Sequence, residues 1–151
     1  MRELLYQFNP WWEVKFETNT IKRELYINKL MNELYSKEIT FIIGLRRIGK
    51  TTIIHQLIED LLKIVENKKI LYISLDHPIF DKHTLLDILR EYRTIHKLSV
   101  EDKVYLFFDE VHIKKNFERE LKVLYDIENV KIFASGSSSL VIKHKSSFLV
   151  G

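Results

Sequence analysis

A chain of 151 residues, 46% hydrophobic and 30% charged, has room for one domain with a real core and does not read as disordered or fibrous. Its 24 Lys and Arg stand against 21 Asp and Glu, interspersed along the chain, so charge lends no support to a nucleic-acid partner. With no cysteine, disulfides, thiolate metal sites and cysteine nucleophiles are excluded.

Residues 1–12 lack the apolar run of a signal peptide, and no stretch approaches the roughly 18 apolar residues of a membrane span. No membrane partner and a cytoplasmic location are the resulting expectations. The six histidines (His55, His77, His83, His96, His112 and His144) are nowhere three to five residues apart, the spacing that puts two ligands on one metal.

In chain order, the segment 6–16 (YQFNPWWEVKF) is aromatic-rich. It reads as a flap packed on the core or on a further domain, because exposed aromatic patches are uncommon in soluble proteins, or alternatively as a base-stacking or adenine-contacting element. A helix is expected over about 21–35. Residues 39–44 (ITFIIG) form a short β-branched apolar run that reads as a buried strand. Over 50–65 the period changes: Ile54, Leu57, Ile58, Leu61, Leu62 and Val65 share one helical face.

A second strand is predicted at 70–74 (ILYIS), closed by Asp76 and Pro78. Leu85, Leu86, Ile88, Leu89, Tyr92 and Ile95 then give a helix its stripe. A third strand follows at 104–108 (VYLFF), a helix around Phe117, Leu121, Leu124 and Tyr125, and a fourth strand at 130–134 (VKIFA). Strands that are apolar on both faces, alternating with helices, predict a parallel sheet covered by helices on either side.

The motif with the greatest specificity lies between the first strand and its helix. Gly44, Leu45, Arg46, Arg47, Ile48, Gly49, Lys50 and Thr51 fit G-x-x-x-x-G-K-[ST] at every position. Glycines allow a tight turn whose N–H groups converge on phosphate oxygens. Lys50 brings a positive charge to the β- and γ-phosphates, and the Thr51 hydroxyl can ligate magnesium. The helix start, with Thr52 in its first turn, adds its free N–H groups and positive dipole end. Only four glycines occur in the chain and two of them frame this loop, which argues against a fortuitous match.

The third strand delivers Asp109 and Glu110 at its C-terminal end, where ligands sit in open parallel sheets. Asp109 suits the anchoring of magnesium, and Glu110 suits activation of water for attack on a γ-phosphate. Asp76, after the second strand, is the alternative metal partner. After the fourth strand come Ser135, Gly136, Ser137, Ser138 and Ser139. Ser135 or Ser137 would sense the γ-phosphate or the attacking water, or a serine there caps a following helix.

Taken together, Asn9-Pro10-Trp11-Trp12, the loop GLRRIGKT, the block LFFDEVH and the run SGSSSL resemble the P-loop ATPases of the AAA superfamily, within a prokaryotic and archaeal AAA-domain family. The resemblance implies a three-layer α/β/α P-loop core with a parallel sheet of order 5-1-4-3-2. It also implies Lys50 and Thr51 as phosphate and magnesium ligands, Asp109 and Glu110 as metal-binding and catalytic acids, and a sensor region at Ser135 to Ser137. ATP and Mg2+ would be the ligands, and ATP hydrolysis the activity.

Members of that family usually continue with a further strand, an arginine, a winged-helix region and often a nuclease-like domain. The chain is therefore expected to stop before the fifth strand and the C-terminal lid. The expected division is 1–36 as an aromatic segment and helix packing on the core, and 37–151 as the core itself. Self-association, or a further C-terminal domain, would complete it. Two other readings stand beside hydrolysis: a nucleotide-binding switch without useful turnover, and a helicase fragment suggested by the sequence Asp109-Glu110-Val111-His112.

Overall fold

The structure, a computed structural model, describes residues 1–44, 49–137 and 147–150. Among the described residues, five parallel strands form one sheet in the order β2-β3-β4-β1-β5. They are β1 (Thr40–Gly44), β2 (Ile70–Ser74), β3 (Val104–Asp109), β4 (Val130–Ser137) and β5 (Ser147–Val150). Five α-helices among the described residues accompany them: α1 (Arg2–Phe8), α2 (Glu24–Asn32), α3 (Lys50–Leu61), α4 (Leu85–His96) and α5 (Phe117–Ile127).

Side-chain alternation along the strands divides the interior into two cores, one on each face of the sheet. Phe41, Ile43, Leu71, Ile73, Leu106, Phe108, Ile132 and Ala134 face one way, and pack with Leu5 of α1, Leu89 of α4 and Leu121 of α5. Ile42, Ile70, Tyr72, Phe107 and Phe133 face the other way, against Ile27 and Leu30 of α2 and Ile54, Leu57 and Ile58 of α3. Phe107 and Phe133 stack there at 5.0 Å between centroids. The result is the three-layer α/β/α arrangement expected from the sequence. At the start of α4, Thr84 and Asp87 form a reciprocal capping box, which fixes where that helix begins.

The sheet corrects one expectation. The chain does not stop before a fifth strand, because Ser147–Val150 pairs in parallel with β1, from Phe41 opposite Ser147 to Gly44 opposite Val150. A four-residue strand is too short to show a period of its own. It forms because β1 would otherwise present an open row of backbone donors and acceptors.

Helix boundaries also move. The helix expected over 50–65 ends at Leu61, while Leu62 and Val65 still pack on the core from the turn that follows. The helix expected over 21–35 starts at Glu24 and finishes in a 3₁₀ turn, Glu33–Tyr35. Among the described residues no helix is long and apolar enough to cross a membrane.

Residues 9–12 cover the outer edge of β2. Asn9 exchanges two hydrogen bonds with the Tyr72 backbone: its Oδ1 accepts from Tyr72 N at 2.6 Å and its Nδ2 donates to Tyr72 O at 2.8 Å. Trp11 and Trp12 both donate from Nε1 to Ile70 O, at 3.3 and 2.8 Å. A primary amide and two indoles thus satisfy backbone groups that a sixth strand would otherwise pair.

Candidate functional site

Register brings the C-terminal ends of three strands side by side. Gly44 of β1 lies opposite Ser137 of β4, and Phe108 of β3 opposite Ala134 of β4, so Asp109 and Ser135 follow as neighbours. The chain leaves β1 at Gly44 and re-enters the described residues at Gly49, which precedes α3. Leu45, Arg46, Arg47 and Ile48 of the predicted phosphate loop lie outside the described residues, as do Ser138 and Ser139.

Gly49 has φ +88°, and a Cβ there would come within 2.9 Å of Arg23 Nη2. The left-handed backbone is what favours glycine, since the guanidinium is the far end of a flexible side chain that can move aside. Lys50 opens α3 with its side chain almost fully buried, and Nζ donates to Gly44 O at 3.0 Å and Gly136 O at 2.8 Å. The ammonium therefore bridges the ends of β1 and β4, held by two neutral acceptors that it can exchange for an anion. Thr52 follows Thr51 in the first turn of α3 and is half-buried.

Thr51 donates from its hydroxyl to Asp109 Oδ2 at 2.7 Å. The Asp109 carboxylate is only 1% exposed and accepts two further hydroxyl bonds. One comes from Tyr72 to the same Oδ2 at 2.8 Å, the other from Ser135 to Oδ1. Three hydroxyl donors compensate the burial of this charge. Burial, and next the Asp109 charge, push the Tyr72 phenol well above its ordinary range, so it remains protonated and donates.

Ser135 Oγ in turn accepts from Glu110 N at 3.0 Å. Glu110 adopts φ +57°, a left-handed conformation that costs a non-glycine residue on the order of 1 kcal/mol. The turn ends β3 sharply and leads into a short 3₁₀ segment, Val111–Ile113. The Glu110 carboxylate stays partly exposed and lies 3.4 Å from His112 Nε2. His55, one turn after Thr51 on α3, packs 4.9 Å from the Tyr72 ring. Burial lowers its proton affinity, against the opposing pull of Asp109.

Lys50, Thr51, Asp109, Glu110 and Ser135 therefore meet at one edge of the sheet, with Ser137 closing β4 beside Gly44. Asp76 does not join them through any described hydrogen bond to Thr51 or Asp109; its carboxylate accepts from Ser74 Oγ at 2.6 Å. Tyr72 was not anticipated. It sits inside the run ILYIS, where a tyrosine reads as one more core residue, and only the register of β2 against β3, with Ser74 opposite Asp109, reveals its reach.

A family model described as "AAA domain" matches residues 36–151. An uncharacterized protein of Methanocaldococcus jannaschii is 34% identical over 108 residues, which are 71% of this chain and 23% of that protein. The chain thus spans under a quarter of that relative's length. Among solved structures, PCH-2 of C. elegans superposes with a TM-score of 0.57 at 18% identity, over 96% of this chain and 46% of that one. A Walker-type ATPase of Pyrococcus abyssi gives 0.53 at 14% identity, over 90% and 55%. At these identities the structural likeness is one of fold.

Proposed function

This chain belongs to the AAA-domain family of P-loop ATPases, and from that premise we propose that it binds ATP with magnesium and hydrolyses it at the C-terminal edge of the sheet. The observation that carries the proposal is the 2.7 Å bond between Thr51 and Asp109. It joins the helix start after the glycine loop to the acidic end of β3, two features that the sequence holds far apart.

The residues present suit magnesium. A hydroxyl and one carboxylate are hard oxygen donors, and among the described residues no cluster of three His, Asp or Glu forms a full protein cage. Magnesium favours this arrangement, because it keeps waters and takes much of its coordination from phosphate. Thr51 would hold the ion directly, and Asp109 would hold its waters. When bound, the ion would neutralise charge on the β- and γ-phosphates.

The remaining steps fall to side chains. Lys50 would release Gly44 O and Gly136 O and place its ammonium on the phosphates. Backbone N–H groups of the loop and of the α3 start would cradle them. Glu110, partly exposed at the strand end, would orient a water and take its proton as that water attacks the γ-phosphorus. ADP leaves with the displaced oxygen. Ser135, bonded to both Asp109 and the Glu110 backbone, would hold the two acids in register, and Ser137 faces the same edge as the alternative sensor. An arginine from a second copy, or from a further part of a longer chain, would add charge stabilisation worth about 10³–10⁵ in rate.

Calorimetry with ATP and Mg2+, followed by phosphate release, tests this. Lys50→Ala is expected to weaken ATP binding by about 100-fold through loss of a charge-assisted contact. Glu110→Gln is expected to keep binding and slow release by about 10²–10⁴. If both variants hydrolyse ATP like the parent, the mechanism is wrong. Tight binding by the parent without phosphate release would move the reading to a nucleotide-binding switch, and a rate raised by single-stranded DNA or RNA would revive the helicase reading.

A further inference from the structure

We infer that Tyr72 is a positioning residue of the nucleotide–metal site, its phenol fixing the Asp109 carboxylate in the orientation that Thr51 and magnesium require. The inference rests on the ATP and magnesium reading above, and concerns a residue that the glycine-loop and acidic motifs do not include.

The geometry offers the phenol one described purpose. Tyr72 is 4% exposed, and its ring is packed between Phe8, at 6.0 Å, and His55, at 4.9 Å. A phenylalanine would fill that space without burying a hydroxyl. Burying a hydroxyl is unfavourable unless it finds a partner, and here the partner is Asp109 Oδ2 at 2.8 Å. That oxygen also accepts from Thr51. Two donors on one carboxylate oxygen, with Ser135 on the other, leave the group little freedom to rotate about its side-chain bonds.

The backbone of Tyr72 is held from both sides as well. β3 pairs with it on the inner side, where Tyr72 lies opposite Phe107. Asn9 clamps its N–H and C=O on the outer side. An edge strand is normally the least constrained part of a sheet, yet this edge residue is fixed at backbone, ring and hydroxyl. Groups that orient a metal's ligands commonly change metal affinity by about 10–100-fold when removed.

The experiment compares ATP affinity by calorimetry in Mg2+ and in EDTA, for the parent, Thr51→Val and Tyr72→Phe, each first checked for a cooperative thermal melt. The parent should bind ATP more tightly with Mg2+, and Thr51→Val should lose that gain. Tyr72→Phe should bind ATP in EDTA like the parent, yet lose about 10-fold of the Mg2+-dependent gain and need more Mg2+ for half-saturation. A full gain in Tyr72→Phe overturns the inference and leaves the ATP and magnesium reading intact. Equal weakening in Mg2+ and EDTA, or loss of the cooperative melt, assigns Tyr72 to the fold and also overturns it. No gain in the parent itself sinks both.

Discussion

At the C-terminal end of the sheet Asp109 is 1% exposed and accepts hydrogen bonds from three hydroxyls. At the opposite end of the same strands Lys131 is 0% exposed, and donates to Glu38 O at 2.6 Å and Thr40 Oγ1 at 2.9 Å over the face of Phe133. One sheet thus buries an anion and a cation. One of the anion's partners is the hydroxyl of the exposed Thr51, which keeps lone pairs for a new ligand, and its neighbours are Lys50 and Glu110. The cation ties β4 to the start of β1 and to the residues just before it. The two charges differ in their surroundings rather than in the kind of partner they have: the anion adjoins the exposed Thr51 and the partly exposed Glu110, whereas the cation joins β4 to β1.

Removing the anion is the change with the largest expected effect. Asp109→Asn keeps the shape but loses the charge, and Mg2+-dependent phosphate release should fall by about 100-fold or more, as when a charge-stabilising group is lost. Stability should change little, because the hydroxyls that donate to the carboxylate can also accept from an amide N–H. A variant that melts many degrees lower while keeping its phosphate release would reverse the comparison and make Asp109 the structural group.

The sequence displays this end of the molecule better than the other. The glycine loop and the Asp109-Glu110 pair stand out because they interrupt apolar runs with residue types that cores avoid. Continuous apolar runs likewise disclosed β1 to β4, since a strand covered on both faces has no polar side to confuse the pattern. Tyr72 was hidden for the opposite reason: inside ILYIS nothing distinguishes a tyrosine that fills space from one that aims a hydroxyl. Ser147–Val150 was hidden because a strand so short borrows its order from β1, and α1 because seven residues give scarcely two turns of pattern. The segment around Asn9-Pro10-Trp11-Trp12 was legible as an aromatic flap. Its polar task, satisfying the backbone of β2, depends on tertiary geometry.

That task defines the next effect in size, and adds to the comparison a polar group that bears no charge. Asn9→Ala would strip Tyr72 N–H and C=O of their partners at a buried edge. Each unsatisfied buried group costs about 1–3 kcal/mol, so a loss of about 2–4 kcal/mol is expected in urea unfolding. A change below about 0.5 kcal/mol would mean that water serves the edge equally well.

The smallest effect belongs to the cation and is read in its pH dependence. Burial, the leading cause, pulls the Lys131 ammonium down to about 8 from its ordinary 10.5, with Glu33 opposing and Lys103 assisting. Below about pH 8 both folded and unfolded chains carry the proton and the cost of burying it is present in full. Between about 8 and 10.5 the unfolded chain binds more protons than the folded one, so stability attributable to this residue rises with pH. Other lysines and tyrosines titrate in the same range, and Lys131→Met, which lacks the group, removes their contribution by difference. The melting temperature of the parent minus that of Lys131→Met should therefore increase by a few degrees between about pH 7.5 and pH 10, at about 2–4 °C per kcal/mol for a chain of this size. ATP affinity should be the same in both proteins, because Lys131 lies at the far end of β4 from Lys50 and Thr51. A difference that stays flat with pH would show that Lys131 titrates as an exposed lysine does, and an ATP affinity that changed with it would connect the two ends of the sheet that the hydrogen bonds keep separate.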